Sequence, residues 1–421
     1  MIPTFDQSVL SYSLPDENIA LFPKEQRDES KLLIVNPHDI NPFTDSVFHE
    51  IDSFLPEHSL LIVNASKVIK ARIYAHKQTG GKAELLLIEP IQGSAAEALI
   101  QEKESIWECM IGGKNLTPGT ILECVAKHYT LKAEILERNN TQGIVRFKWN
   151  YSITLGALLE DIGTIPLPPY LHRKAEDSDT IRYQTIYAKE NGSVAAPTAG
   201  LHITDNVIQK LKDKQINMVD ITLHVGLGTF KPYEADTPED FLMHTEKILI
   251  PIEVIEDCRE FFLNPDRGLF ICVGTTSCRT MESVFWFGVQ LLNPSSPMWN
   301  QSYISMQQWT PYSLVDKNIN SADVFAILLT WMDRYNLTII EGETQLMIIP
   351  GYSFGITEAL ITNFHQPKST LLFLVSAFLG IDVWKQSYEY ALKNDYRFLS
   401  YGDSSLLLKG KIFHADSKPV L

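Results

Sequence analysis

The chain lacks most of the features that mark metal, disulfide or membrane proteins. Its 421 residues include only five cysteines, and these (Cys109, Cys124, Cys258, Cys272 and Cys278) form no CxxC pair. An odd number of unpatterned thiols fits a reducing compartment better than a disulfide framework, so the expected location is cytoplasmic. Cys272 and Cys278 read as small buried residues. There is no HExxH helix and no His-x-His, and a metal centre is therefore not expected. The apolar stretch from Leu371 to Ile381, interrupted by Ser376, is too short to span a bilayer and reads as core, so no membrane association is expected. No basic segment followed by an apolar one opens the chain, which argues against export. Internal repeats and low-complexity tracts are missing too.

What is present is an acidic chain of net charge −15 with 45% hydrophobic residues. That length and composition support a large core divided among two or three domains. The negative charge argues against indiscriminate binding to polyanions. It leaves room for a local basic patch. Lys67, Lys70, Arg72, Lys77 and Lys82 occur with no acid among them, whereas Arg173, Lys174 and Arg182 are interrupted by Glu176, Asp177 and Asp179. Such runs serve either a solvated face or a polyanion contact.

Periodicity divides the chain. Leu60 to Asn64 reads as a buried strand, and Ala83 to Ile88 as another. Up to about residue 152, short strand-like runs alternate with Gly112-Gly113, Pro118-Gly119 and Asn139-Asn140, which predicts an inserted antiparallel β-module over 66–152. Beyond the proline-rich segment 165–170, helices and apolar strands alternate: a helix near 205–214, strands near 218–225 and 268–273, a helix from about 277, and a strand near 357–362. This is an α/β pattern with a largely parallel sheet, expected to include residues 1–65 and 153–421. Residues 294–338, rich in aromatics, read as an ordered insertion with its own packing.

Polar groups collect at the predicted strand ends, where α/β proteins place their ligands. Residues 192–204 run Gly-Ser-Val-Ala-Ala-Pro-Thr-Ala-Gly-Leu-His-Ile-Thr, small enough for close backbone approach, with His202 the one titratable group and Thr204 set to cap the next helix. His224 precedes the turn Gly226-Leu227-Gly228, which lacks the third glycine of a dinucleotide fingerprint. Gly274, Thr275, Thr276 and Ser277 open a helix whose free amides suit a carboxylate or phosphate, with Arg279 nearby. The alternative there is a capped helix with an Arg279–Glu282 surface pair. Asn363 and His365 share a face at another strand end. His244 lies two residues before Glu246.

Taken in order, these motifs resemble the S-adenosylmethionine:tRNA ribosyltransferase-isomerase family of queuosine biosynthesis. The resemblance runs from Tyr12-Ser13-Leu14-Pro15 and Gln26 to Leu33, through Thr79 to Lys82, Pro168-Pro169-Tyr170, Arg182 to Thr185, Ala195 to His202, Thr222 to Phe230, Val273 to Ser277, Pro350-Gly351-Tyr352 and Thr362 to Thr370. It ends with Ser376-Ala377-Phe378 and Tyr396 to Asp403. It implies a larger α/β catalytic domain with an inserted small antiparallel β-barrel. It also implies transfer and isomerisation of the ribosyl part of S-adenosylmethionine, the co-substrate, onto 7-aminomethyl-7-deazaguanine at the wobble position of tRNA. No metal is required.

Under that resemblance, His202, His224, His244 and His365 are the candidate acid–base groups, unranked. Thr198, Gly200, Gly226, Gly228, Gly274, Thr275, Thr276, Ser277, Arg279 and Asn363 are candidates to hold the co-substrate. Lys67, Lys70, Arg72, Lys77, Lys82 and Arg173 are candidates to meet phosphates of the precursor-bearing tRNA. The chain departs from the family pattern where Ala65-Ser66-Lys67 replaces Asp-Thr-Arg, where Leu242-Met243-His244 replaces His-Met-His, and at Gln366 in place of Leu. The departures leave two rival readings: a relative acting on another acceptor, and a non-catalytic RNA-binding descendant.

Overall fold

Leu60–Asn64, Phe270–Val273, Ala359–Asn363 and Ser404–Leu408 are buried along their whole length, as runs of apolar residues covered on both faces must be. They form the middle of a ten-stranded sheet in the computed structural model, which describes the chain except residues 1, 4, 6–9, 126–127, 225–232, 234, 236, 315–318 and 411–421. The strand order is Ile304–Met306, Ile339–Thr344, Glu246–Pro251, Asn217–His224, Leu60–Asn64, Phe270–Val273, Ala359–Asn363, Ser404–Leu408, Lys31–Val35 and Phe43–Val47.

Asn217–His224, Leu60–Asn64, Phe270–Val273 and Ala359–Asn363 run parallel to one another. The helix–strand alternation predicts a largely parallel sheet, and most of the described pairings are parallel, with antiparallel ones mixed among them. Ser404–Leu408 lies antiparallel to Ala359–Asn363, with Ser404 opposite Asn363. The reason is local: helices Thr370–Leu379 and Ile381–Lys393 follow one another and return the chain to the end it left. Ser369 starts the first of them by accepting a bond from the Leu371 amide, as an N-cap serine does.

The segment 294–338 does not pack on its own. Its strand Ile304–Met306 adds to the sheet beside Ile339–Thr344. Its helix Ser321–Arg334 lies against helices Ile252–Leu263 and Thr275–Leu291. Trp331 stacks edge-on against Phe287 at 5.1 Å and donates from Nε1 to Gln301 O at 2.8 Å. The aromatics that suggest a separate core serve the main one.

Two compact units divide the chain. The sheet just described belongs to the unit of Met1–Ala65, Pro197–Leu223 and Thr229–Leu421. The other comprises Ser66–Ala196 with His224–Gly228. Six of its strands close a barrel in the order Arg72–Lys77, Lys82–Pro90, Glu104–Gly112, Gln142–Lys148, Thr130–Asn139 and Ile121–Val125. Closure comes from His76 and Lys77 pairing with Glu123 and Leu122. Every neighbouring pair is antiparallel.

Alternating burial along Glu104–Gly112 and Thr130–Asn139 sends one face inward, the period-two signature of a barrel strand. The turn pattern ends this module at residue 152, but the unit continues to Ala196. Helix Leu155–Ile162, capped by Thr154, sends Leu155, Leu158 and Leu159 into the same core as Trp107 and Phe147. Those leucines belong to the barrel.

Candidate active site

At the carboxyl ends of the parallel strands, side chains tie separate segments together. Asn64 uses both ends of its amide, accepting from Leu223 N and donating to Leu223 O, each at 3.2 Å. Gly274, after the strand Phe270–Val273, has φ of 92° and donates from its amide to Ile361 O at 2.8 Å. That φ favours glycine. Helix Thr275–Leu291 then begins with no side-chain cap on its first amides, leaving donors and the positive end of the helix dipole for a ligand. A Cβ built on Gly274 would have Ala199 Cβ at 3.9 Å, so the turn Thr198–His202 lies against the helix start. Gly200 is buried in that turn, and its amide donates to Pro197 O at 2.9 Å. Ser277 Oγ turns back to Val273 O at 2.8 Å and holds the helix on its strand.

Thr275 and Thr276 line a cleft with Met243, Arg279, Leu346 and Thr370. Arg279 is 4% exposed and pairs with Glu246, 1% exposed. Glu246 Oε1 accepts from His244 Nε2 at 3.1 Å. Burial pushes the Glu246 carboxyl upward, but Arg279 and His244 outweigh it and hold the pKa at about 2. Arg279 thus has a buried protein partner, and the alternative surface pair with Glu282 does not form. Glu282 instead accepts from Tyr352 Oη, Thr357 Oγ1 and the amides of Gly355, Ile356 and Thr357 at 2.7–3.2 Å.

His202 is the principal correction. Its small-residue surroundings suggest a ring with little burial of its own, yet it is 4% exposed and packs 5.1 Å from the Phe48 ring. Nδ1 lies 2.7 Å from Ser30 Oγ and 3.3 Å from Arg27 O, while Asn363 Nδ2 donates to Nε2 at 3.3 Å. That pattern puts the proton on Nδ1. Burial lowers the His202 pKa to about 4. The small residues bring the turn close to protein rather than leaving it open.

His365 is similar, with Nε2 3.0 Å from Thr362 Oγ1 and burial lowering its pKa to about 3. The structure therefore places His202 in a packed interior, His365 in a half-buried position and His244 beside a carboxylate. His224 ends a strand, but its side chain, like Gly226 and Gly228, lies outside the described residues.

The basic residues divide as sharply. In the barrel unit, Lys70 pairs with Glu160 at 3.1 Å, Arg72 pairs with Glu84, and Lys77 donates to Lys114 O at 2.9 Å. Arg173 forms a two-pronged pair with Asp179 at 2.7 and 2.8 Å. Lys67 and Lys82 are exposed. Two members of the uninterrupted basic run thus find acids, Arg72 at Glu84 just beyond the run and Lys70 at Glu160 farther along the chain.

Sequence reasoning overlooked Ser30, read Glu282 only as a surface partner of Arg279, and gave Glu246 no role beyond its place two residues after His244. Strand alternation places His244 and Glu246 on one side of the chain, a usable signal. Nothing local marks Ser30 as a partner of His202.

Fold and site together define an α/β protein with an uncapped helix start and polar side chains at its strand ends, carrying a closed antiparallel barrel as a second unit. A model of the queuosine biosynthesis protein family matches residues 7–407. The chain belongs to that family. It is similar to the S-adenosylmethionine:tRNA ribosyltransferase-isomerases of Trichlorobacter lovleyi, 35% identical over 94% of this chain and 98% of that one, and of Aquifex aeolicus, 36% identical with the same coverages. Among solved structures it is similar to the S-adenosylmethionine tRNA ribosyltransferase of Thermotoga maritima, with 27% identity, a TM-score of 0.45, and coverage of 95% of this chain and 100% of that one. Among the described residues no cluster of metal-ligating side chains occurs, and no helix is long and apolar enough to cross a membrane.

Proposed function

We propose that this protein is an S-adenosylmethionine:tRNA ribosyltransferase-isomerase. It transfers and isomerises the ribosyl part of S-adenosylmethionine onto 7-aminomethyl-7-deazaguanine at the tRNA wobble position, yielding epoxyqueuosine, adenine and methionine, in the cytoplasm and without a metal. The observation that carries this reading is similarity of 35–36% across nearly the full length of relatives bearing that name.

The chemistry suits the strand-end site. A sulfonium acidifies the adjacent C5′ carbon, a base removes that proton, adenine leaves, and the tRNA amine attacks the rearranged sugar. The uncapped amides of Thr275, Thr276 and Ser277 would take the methionine carboxylate. Thr198, Gly200 and Asn363 would border the same substrate. Because Arg279 is held by Glu246, it would act through that pair and not as the carboxylate's own clamp. Lys67 and Lys82 would meet tRNA phosphates.

The test is incubation of the protein with S-adenosylmethionine and tRNA carrying the deazaguanine precursor, following adenine and methionine by chromatography and the modified nucleoside by mass spectrometry. Stoichiometric release with formation of epoxyqueuosine is expected. Leu242, 83% exposed, stands where the family pattern has histidine and favours a second reading, the same chemistry on another acceptor. That reading predicts S-adenosylmethionine binding without release on this tRNA.

A further inference from the structure

Between the turn Pro238–Asp240 and the strand Glu246–Pro251 the chain has no helix or strand, so its backbone polar groups need partners from elsewhere. Gln308 supplies two of them. Its Oε1 accepts from Met243 N at 3.0 Å and its Nε2 donates to Phe241 O at 2.7 Å, an arrangement that only one orientation of the amide satisfies. Leu242, between those two residues, is exposed, while Met243 is buried and lines the cleft beside Thr275 and Thr276. The main-chain carbonyl of Gln308 also accepts from Met347 N at 3.2 Å, and Met347 lines the same cleft. One residue of the segment 294–338 ties together two stretches that border the site.

From this geometry, and resting on the proposed reaction, we infer that Gln308 is a positioning residue for S-adenosylmethionine. Its amide holds Met243 in place beside the helix start that would take the methionine carboxylate. The 241–243 segment is then ordered before the co-substrate arrives, and binding does not have to meet the cost of ordering it. Without that amide, Met243 N and Phe241 O turn to water and Met243 leaves its place in the wall.

The experiment titrates the full-length protein with S-adenosylmethionine by calorimetry and follows adenine release in the presence of precursor tRNA. Wild type that binds S-adenosylmethionine but releases no adenine overturns the proposed reaction, and the binding series then decides the Gln308 assignment; wild type that binds none overturns both. Gln308→Glu keeps an acceptor for Met243 N but sets an oxygen against Phe241 O. It and Gln308→Ala should each weaken binding about tenfold and raise KM to match, with kcat within about threefold. A merely structural glutamine would lower the thermal midpoint and leave the affinity of the folded fraction alone. Gln307, exposed in the same segment, donates to Ser305 Oγ, and Gln307→Ala should leave affinity unchanged. Met243→Ala should weaken binding by a similar factor to Gln308→Ala, and the double variant by little more than either alone, because the two residues act as one unit. If Gln308→Ala does not fold, Gln308→Met, of similar length and without either side-chain bond, takes its place. Three results overturn the assignment: Gln308 variants that bind within about twofold of wild type, equal weakening by Gln307→Ala, or single-variant losses that multiply in the double variant.

Discussion

Ser30 Oγ lies 2.7 Å from Nδ1 of His202 and joins segments 172 residues apart in sequence. The bond is buried, and Asn363 meets the opposite ring nitrogen at 3.3 Å. Together they pin the Arg27–Glu29 turn, the Thr198–His202 turn and the end of strand Ala359–Asn363 to a single imidazole. The ring is part of the frame around the site.

Replacing His202 by Ala should therefore destabilise the protein by about 2–4 kcal/mol, through a cavity beside Phe48 and unsatisfied partners on Ser30 and Asn363. Urea unfolding of wild type and variant measures it. A change below about half a kcal/mol would return His202 to the role of an unconstrained loop residue.

The same burial sets a pH dependence. His202 has a folded pKa of about 4 against an ordinary 6.5, so between those values the unfolded chain binds a proton that the folded one refuses. Its contribution to stability is complete above about pH 6.5 and is lost as the pH falls toward about 4. Going from about pH 7.5 to about pH 5, wild type should lose on the order of 2 kcal/mol more than His202→Gln. Parallel losses in the two proteins would show that this ring is not the titrating group.

Glu282 accepts five hydrogen bonds from Tyr352, Gly355, Ile356 and Thr357. Glu282→Ala strands those buried donors and should cost about 3–5 kcal/mol. Glu282→Gln should also destabilise, because its NH2 group would face donors. A denaturant midpoint unchanged in both variants would mean that the 352–357 segment is held by packing alone.

For tRNA binding, Lys67→Ala and Lys82→Ala should each reduce the slope of log affinity against log salt by about 1. Arg173→Ala should act differently, destabilising the protein by about 3–5 kcal/mol because Asp179, 1% exposed, loses its cation. Filter binding across a salt series, paired with thermal melts, separates the two effects. An unchanged slope in both lysine variants would make these side chains a solvated face.

Gly274→Ala forces a Cβ onto a residue at φ of 92°, a strain of about 1–3 kcal/mol. The first helical amides should shift, and S-adenosylmethionine affinity should fall while the barrel's residues keep their NMR shifts. Unaltered affinity would place the carboxylate elsewhere.

Much of the architecture was legible from the chain alone because it depends on short-range periodicity. Val-Ile-Leu runs such as Leu60–Asn64 bury both faces wherever they pack, and Thr204 and Gly274 act on backbone atoms a few residues away. The alternation in Glu104–Gly112 likewise needs no partner to be read as a barrel strand. Ordered motifs along nearly the whole length carried the family.

Only the tertiary structure could decide which polar groups face one another. A histidine between small residues reads as open until Phe48, Ser30 and Asn363 arrive from distant segments, and a basic run reads as a polyanion surface until Glu84 and Glu160 neutralise two of its members. Arg279 passes from Glu282, its neighbour on the helix, to Glu246 on a separate strand. Electrostatic and hydrogen-bond partners act through space over a few ångströms, and a linear sequence does not record that distance once the chain has turned.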